Sequence, residues 1–298
     1  MKLTRRNFLK TSGALGSLAM SGNLLTGCSG AAKVRVSGHL WIYASKFPPD
    51  WDSTPVLDQV FSDFKYAGIE GVELMEVNLR HDDAVSNLRA LIEKYDVPVT
   101  GSSYNGRMWD KAEHGKILED VTMVVDRLHQ VGGKNFGISV GDARRLKTEQ
   151  ELDAQGEVLS NILKICAQKD VLPNLHNHTY EVENDLHDLK GTLARVPDIK
   201  LGPDLNWLVR GGVDPVSFIK TYGKQIVYMH IRDQTGGGVW TEAVGEGVTD
   251  FRTIAEALRE FDYNGDAAIE LASHVPPEKP MKENWKNSRD FVREVFGW

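Results

Sequence analysis

The stretch IVYMHIRD (226–233) is an apolar run that ends in a histidine, an arginine and an aspartate, a pattern typical of a buried strand that stops at polar residues. Three other segments share this pattern: LHNH (175–178), GPDLNW (202–207) and AAIEL (267–271). The polar residues that we single out in the four segments are His176, Asp204, His230 and Glu270. Each is predicted to lie at the carboxyl end of a separate strand.

Strand-like runs recur along the whole chain, with amphipathic helical segments between them. The runs are VRVSGHLWIY (34–43), GVELME (71–76), VPVTGSS (97–103), NFGISV (135–140), VLPNLH (171–176), IKLGPD (199–204), IVYMHI (226–231) and AAIEL (267–271). Regular alternation of strand and helix predicts an α/β protein with a parallel sheet, and eight repeats favour a closed (β/α)8 TIM barrel. Because no glycine-rich phosphate loop follows the first run, an open doubly wound sheet is disfavoured.

A closed parallel barrel brings the carboxyl ends of all its strands to one rim. His176, Asp204, His230 and Glu270 should therefore meet there, although they are far apart in sequence. Two imidazoles and two carboxylates are a plausible ligand set for one divalent cation. The residues themselves thus predict a metal-dependent enzyme.

The N-terminus is predicted to be an export signal that does not belong to the fold. Arg5 and Arg6 resemble a twin-arginine motif, and the run LTGC, which ends at Cys28, resembles a lipoprotein box. The apolar stretch between them is too short and too rich in glycine for a good membrane span. We expect a signal over residues 1–28, one barrel domain over residues 29–298, and lipidation at Cys28. The protein would then be periplasmic or a membrane-anchored lipoprotein of the bacterial envelope; a plain secretory signal is the alternative.

The net charge limits the possible partners, and the cysteine count limits the possible disulfides. The formal net charge is −7, and removal of the basic signal would make the domain more acidic still. Because an acidic domain repels a phosphate backbone, nucleic acid is not expected as a partner. If Cys28 is acylated, Cys166 is the only cysteine left, so no disulfide can form within the chain.

Several motifs together resemble the xylose isomerase-like barrel superfamily. They are LHNH with Glu181, GPDLNW with GGVDP (211–215), and HIRD with VGEGVTDF (244–251). This superfamily includes sugar and sugar-phosphate isomerases and epimerases, inosose dehydratases and endonuclease IV. The resemblance covers nearly all of the chain after the signal, and it implies a carbohydrate substrate and the capacity to form a homo-oligomer.

The resemblance also implies a ligand set and a metal. In such families the fifth to eighth strands supply the ligands of one divalent ion, and those positions match His176, Asp204, His230 and Glu270. Mn²⁺ is the metal that the resemblance favours, with Zn, Co, Mg and Fe as alternatives. The membrane would be contacted only through the lipid anchor.

Two departures from the family pattern affect the expected reaction. Many relatives have a glutamate where this chain has His176, and this glutamate is one of two opposed bases in the sugar epimerases. A histidine at this position disfavours a simple ketose 3-epimerase and favours members that resemble inosose dehydratases or that act on keto-sugars. Trp207 replaces a histidine that relatives often use, so one polar contact with the substrate is lost.

The expected reaction starts with proton abstraction beside a sugar carbonyl, and it can continue as isomerisation, epimerisation or dehydration. A metal would stabilise the charge that develops, and an acid–base pair would move the protons. The predicted catalytic residues are Glu270, His176, His178 and Glu181. The predicted substrate contacts are Glu73, His39, Tyr104, Trp207 and Arg232.

Two other functions are weighed against this one. An endonuclease IV-like hydrolase would require additional His and Glu ligands for a cluster of metals, and the acidic charge and export signal disfavour it. A non-catalytic carbohydrate-binding lipoprotein would not require the four predicted ligands. Which sugar and which carbon react is not encoded in any motif of the chain.

Overall fold

Eight parallel strands form the centre of the protein in a computed structural model that describes residues 34–273 and 275–298. The strands are β1 (Val36–His39), β2 (Val72–Met75), β3 (Val99–Asn105), β4 (Asn135–Ser139), β5 (Leu172–Leu175), β6 (Lys200–Leu201), β7 (His230–Ile231) and β8 (Ala267–Glu270). Their spatial order is β6-β5-β4-β3-β2-β1-β8-β7, so neighbours in sequence are neighbours in the sheet.

The sheet curls until β6 and β7 meet. The amide of Val227 donates to the carbonyl of Leu201 at 2.9 Å, and the amide of His230 donates to the carbonyl of Pro203 at 2.9 Å. Parallel bridges join Leu201 to Ile226 and Asp204 to His230. These contacts connect the two ends of the sheet, and the predicted TIM barrel is thereby confirmed.

Helices surround the strands and alternate with them. They are α1 (Trp41–Ala44), α2 (Leu57–Ala67), α3 (Ala84–Tyr95), α4 (His114–Gln130), α5 (Glu149–Gln168), α6 (Thr179–Arg195), α7 (Leu205–Arg210), α8 (Pro215–Tyr222), α9 (Phe251–Glu260) and α10 (Met281–Phe296). Their apolar faces cover the outside of the sheet; on α2, for example, Val60, Phe61 and Phe64 are completely buried. Gly68 ends α2 in a left-handed conformation, with a φ of 70°, which costs least for glycine.

The first predicted strand extends too far. The chain leaves the sheet after His39 and turns into α1, and Tyr43 faces the surrounding helices. Its hydroxyl donates to Asp63 at 2.7 Å and accepts from the indole N–H of Trp285 at 2.9 Å. An apolar run does not distinguish a strand from a buried helical turn, which explains the error.

The predicted signal over residues 1–28, with the twin arginines and Cys28, lies outside the described residues. In the part of the chain that the structure describes, every helix is too short or too polar to cross a membrane.

Candidate metal centre

Three of the four predicted ligands meet at the mouth of the barrel. His176, Asp204 and His230 each offer a ligand atom, and these atoms lie within 4.8 Å of one another. The imidazole rings of His176 and His230 are 4.5 Å apart between centroids. All three side chains are buried, and each has one buried atom with no hydrogen-bond partner: Nδ1 of His176, Oδ2 of Asp204 and Nδ1 of His230. Buried polar atoms without partners are rare in proteins, so these three are available to a ligand.

The orientation of His230 is fixed by a residue on the second strand. Its Nε2 lies 2.8 Å from Oε2 of Glu73, which also accepts the hydroxyl hydrogen of Tyr228 at 2.9 Å. Although burial alone would raise the pKa of Glu73, the His230 imidazole beside it lowers that pKa below its ordinary value. Because Nε2 is engaged by a carboxylate, Nδ1 of His230 is left with its lone pair for a metal.

Asp204 uses its two oxygen atoms for different purposes. Oδ1 accepts the amide hydrogens of Asn206 at 2.8 Å and Trp207 at 3.0 Å, and it thereby caps the start of α7. Oδ2 lies 3.7 Å from Nη1 of Arg232 and has no hydrogen-bond donor. Burial raises the pKa of this carboxyl group. A nearby divalent cation would compensate the buried negative charge.

His176 supplies a neutral imidazole. Burial lowers the pKa of His176 well below its ordinary value, and the neighbouring His230 imidazole acts in the same direction. A neutral imidazole is the form that binds metals. The residue types, the burial and the three unpartnered atoms thus fit a divalent ion held by His176, Asp204 and His230.

Glu270 lies beside this group but is not a member of it. Its Oε2 is 2.7 Å from Nδ1 of His230 and 3.6 Å from Nδ1 of His39, and its Oε1 is 2.7 Å from Nη2 of Arg232. Although burial would raise its pKa, the Arg232 guanidinium and the imidazoles hold that pKa well below the ordinary value of a glutamate. The contact between His230 and Glu270 lacks hydrogen-bond geometry. It brings a second carboxylate to the edge of the cluster.

Charges at the centre do not balance in the absence of a cation. Three buried carboxylates, those of Glu73, Asp204 and Glu270, lie at the centre. The buried guanidinium of Arg232 lies beside Asp204 and Glu270 only, whereas Glu73 adjoins His230. His230 provides the remaining compensation: burial opposes its protonation, but Glu73 and Glu270 together raise its pKa to about 10. A divalent ion would provide this positive charge while His230 stays neutral.

Two of the predicted catalytic residues lie at the start of α6. His178 is about one-third exposed at the mouth, and its ring centroid is 5.0 Å from that of His176. The carboxylate of Glu181 is buried and accepts the amide hydrogens of Val140 at 3.1 Å and His178 at 2.6 Å. Both oxygen atoms of Glu181 are therefore committed to backbone groups. Its position is that of a helix-capping residue, and it makes no contact with the metal centre.

The other predicted substrate contacts divide into two groups. His39 lies at the centre, 3.0 Å from the hydroxyl of Ser103. Tyr104 follows Ser103 on β3 and points to the opposite face, where its hydroxyl donates to Asp120 of α4 at 3.1 Å. Alternation along a strand makes this inevitable once Ser103 faces inward. Tyr104 is thus outside the mouth of the barrel.

Aromatic and basic side chains form one wall of the mouth. Trp207 and Trp240 are half-buried and nearly perpendicular, with ring centroids 5.3 Å apart. The guanidinium of Arg232 is 4.3 Å from the ring of Trp240, and that of Arg210 is 3.3 Å from the same ring. Trp240 is carried by a hairpin in which Gln234 pairs with Trp240. At the turn of this hairpin the amide of Gly238 donates to the carbonyl of Thr235 at 2.9 Å.

Tyr228 and Arg210 belong to the site, but no sequence motif singled them out. Tyr228 occurs within an apolar run, where an aromatic residue normally indicates packing, and its link to Glu73 crosses 155 positions. Arg210 is the last residue of the short helix α7, where a charged residue is unremarkable. Their roles depend on tertiary contacts.

The architecture and the residue cluster define the class of protein: a (β/α)8 barrel with a candidate metal centre at the carboxyl ends of its strands. The chain belongs to the xylose isomerase-like TIM barrel family, which its residues 61–295 match. The family predicted from the sequence motifs is thereby confirmed.

Individual relatives are distant but match over most of their length. The inosose dehydratase of Klebsiella pneumoniae is 21% identical over 283 residues, which cover 84% of this chain and 93% of that protein. The solved structure of a D-allulose 3-epimerase from Methylomonas sp. has a TM-score of 0.73 and 17% identity, covering 89% of this chain and 98% of that one. A 3-keto-D-glucoside 4-epimerase from E. coli has a TM-score of 0.65 and 18% identity, covering 88% and 100%. The solved structures share the fold with this chain.

Proposed function

We propose that this protein is a divalent-metal-dependent enzyme that removes a proton next to the carbonyl of a sugar, a keto-sugar or a keto-glycoside. The product would be an isomer, an epimer or the unsaturated product of dehydration. The observation that carries the proposal is the buried group of His176, Asp204 and His230, in which each residue keeps one atom free of hydrogen bonds.

A bound divalent ion would polarise the carbonyl and stabilise the negative charge that develops on its oxygen. Glu270 is the residue best placed to accept the proton, because its carboxylate is ionised and adjoins the cluster through His230. Arg232 and His39 hold this carboxylate in place from two sides. Because a strand end is rigid, a proton acceptor there loses little further conformational entropy when it is aligned with a reacting carbon.

A second acid–base group is available at the mouth. His178 is the most exposed imidazole near the centre, and its Nδ1 lies 3.2 Å from the hydroxyls of Ser139 and Tyr180. Imidazoles are common proton donors and acceptors in enzymes. His178 could therefore return a proton to the opposite face of the sugar, or protonate a leaving hydroxyl group.

Mn²⁺ is the proposed metal, since a mixed set of imidazole and carboxylate ligands suits a cation of intermediate hardness. Zn, Co, Mg and Fe are compatible with the same residue types. A carbohydrate substrate is supported by the relatives, which are named as an inosose dehydratase and as epimerases of D-allulose and of a 3-keto-D-glucoside. His176 and Trp207 are the two departures from the expected family pattern, and they favour elimination or keto-sugar chemistry.

Proton exchange provides the test. The Mn²⁺-loaded domain would be incubated in D₂O with a panel of keto-sugars and keto-glycosides, and deuterium incorporation would be followed by NMR. We expect exchange next to the carbonyl for at least one compound, and a loss of about 10²- to 10⁴-fold for Glu270→Gln. His187→Gln serves as a matched control, because that imidazole bonds to the carbonyl of Lys147, away from the centre.

The products then separate the alternatives. An epimer would identify an epimerase, and an unsaturated ketone would identify a dehydratase or lyase. Exchange no faster than without protein, across the panel, would reject the proposal and leave a carbohydrate-binding barrel. Cleavage of DNA by the metal-loaded protein would instead support the hydrolase alternative.

We also propose that the chain is exported and lipid-anchored. The proposal depends on Arg5, Arg6 and Cys28 in the sequence. Replacement of both arginines by lysine should retain the protein in the cytoplasm, and Cys28→Ser should release it from the membrane fraction. Unchanged fractionation of either variant would contradict the corresponding signal.

A further inference from the structure

Arg210 contributes a second guanidinium to the mouth of the barrel. Its Nε donates to Oε1 of Gln234 at 2.8 Å, and its Nη2 donates to the carbonyl of Gly238. Among residues 34–273 and 275–298, no carboxylate lies within 4.0 Å of it, and its Nη1 makes no hydrogen bond. The side chain is only partly exposed and packs against Trp240. An arginine placed in this way retains a donor edge and a full positive charge.

The charge of Arg210 is not needed by the metal centre. If a divalent ion binds as proposed above, that ion and Arg232 together balance the three carboxylates of Glu73, Asp204 and Glu270. Arg210 then remains as a surplus positive charge beside the substrate space, in a chain whose formal charge is −7. Positive charge that is local to a cleft attracts an oppositely charged ligand.

The surroundings of Arg210 suit a sugar that carries an acidic group. The indoles of Trp207 and Trp240 lie 5.1 Å and 3.3 Å from the Arg210 guanidinium, and such rings pack against the apolar face of a sugar. A planar guanidinium matches a carboxylate better than it matches a hydroxyl group, because the bond is charge-assisted. We propose that Arg210 is a specificity-determining residue that binds a carboxylate substituent of the substrate, so that the enzyme prefers acidic sugars to neutral ones.

This inference rests on the proposed function for its substrate class. Its test uses binding to the Mn²⁺-loaded protein, so that it does not depend on turnover. Isothermal titration would compare matched pairs of probes, D-glucuronate with D-glucose and D-galacturonate with D-galactose. Glucose 6-phosphate would report whether a phosphate satisfies the same guanidinium.

We expect wild type to bind at least one uronate about 10- to 100-fold more tightly than its neutral partner, because the bond to the carboxylate is charge-assisted. Arg210→Gln should remove this preference and leave the neutral sugar unaffected, whereas Arg210→Lys should keep part of it. Arg252→Gln is the matched control, because it removes the same charge from an exposed arginine that pairs with Glu294 at 2.9 Å. Added salt should weaken uronate binding alone.

Three results would overturn the inference: no preference for an acid in wild type, a preference that survives in Arg210→Gln, or equal losses for acid and neutral sugar in that variant. The last result would mean that Arg210 only holds the hairpin of Trp240. Deuterium exchange into neutral keto-sugars, measured on the same samples, tests the proposed reaction separately from the role of Arg210. Exchange without acid preference rejects the role of Arg210 alone, and acid preference without exchange rejects the proposed reaction.

Discussion

Replacement of Glu73 by glutamine should weaken metal binding although Glu73 is not a ligand. The side chain is 1% exposed, and one oxygen, Oε2, accepts from both His230 at 2.8 Å and Tyr228 at 2.9 Å. Glutamine has the same shape but no charge, so the variant removes the electrostatic hold on the His230 imidazole and lowers its basicity as a ligand.

The expected size of this effect follows from that geometry. Loss of a carboxylate partner from a metal-bound imidazole typically weakens metal binding about 10- to 100-fold, which corresponds to about 1.4–2.7 kcal/mol. Among the residues that the structure describes, the cluster consists of three ligand residues within 4.8 Å, so no fourth member of that group can compensate for a misoriented His230. We therefore expect the upper half of this range.

The Mn²⁺ affinity of Glu73→Gln and of wild type is measured by titration of the metal-free protein with Mn²⁺ in the presence of a competing chelator. Circular dichroism checks that the variant is folded. Tyr228→Phe is the control, because it removes a donor to Glu73 but leaves the bond between Glu73 and His230 in place. Its Mn²⁺ affinity should change by no more than about threefold. If Glu73→Gln binds Mn²⁺ as tightly as wild type, Glu73 does not position the ligand and our reading of the centre fails.

Three further predictions follow. Asp204→Asn should lose metal binding yet melt no lower than metal-free wild type, because it removes a buried charge and keeps an oxygen that can cap α7; a lower melting temperature in scanning fluorimetry would contradict this. Glu181→Ala should lower the free energy of unfolding by about 1–3 kcal/mol in urea while metal content stays at the wild-type value, since the buried amide of Val140 and the part-buried amide of His178 lose their acceptor; loss of the metal would place Glu181 in the centre instead. Exhaustive chelation should abolish deuterium exchange, and Mn²⁺ should restore it; exchange that persists without metal would refute metal dependence.

The barrel and its metal centre could be predicted because their signals are local. The strands lie within apolar runs of the sequence, and His176, Asp204, His230 and Glu270 lie in these runs or within three residues of a strand. Once eight such runs are assigned to a barrel, topology alone brings His176, Asp204 and His230 together. No long-range contact has to be guessed for this step.

Roles that depend on neighbouring strands could not be predicted in this way. Glu270 was expected in the ligand group, but its carboxylate is engaged by Arg232 from the adjacent strand and lies at the edge of the cluster. Glu73 was expected to contact substrate, whereas its known contacts are with His230 and Tyr228. Side-chain partners that are more than 150 positions apart leave no trace in a single sequence.

The sequence also carried a signal for the position that Glu181 takes in the structure. Glu181 stands three residues after His178, which is the spacing of a capping box at the start of a helix. That spacing favours a structural role over a catalytic one, and the hydrogen bonds to Val140 and His178 agree with it. No such signal marked the end of the first strand at His39. The run continues to Tyr43, and its apolar residues are compatible with a strand as well as with a buried helical turn.

The most direct test of the metal centre is the metal content of the purified domain, by inductively coupled plasma mass spectrometry after dialysis against Mn²⁺ and then buffer. Wild type and the remote variant His187→Gln should each retain one ion per chain, and His176→Ala and His230→Ala should retain almost none. Equal metal content in all four proteins, or none in wild type, would contradict the assignment of His176, Asp204 and His230 as ligands.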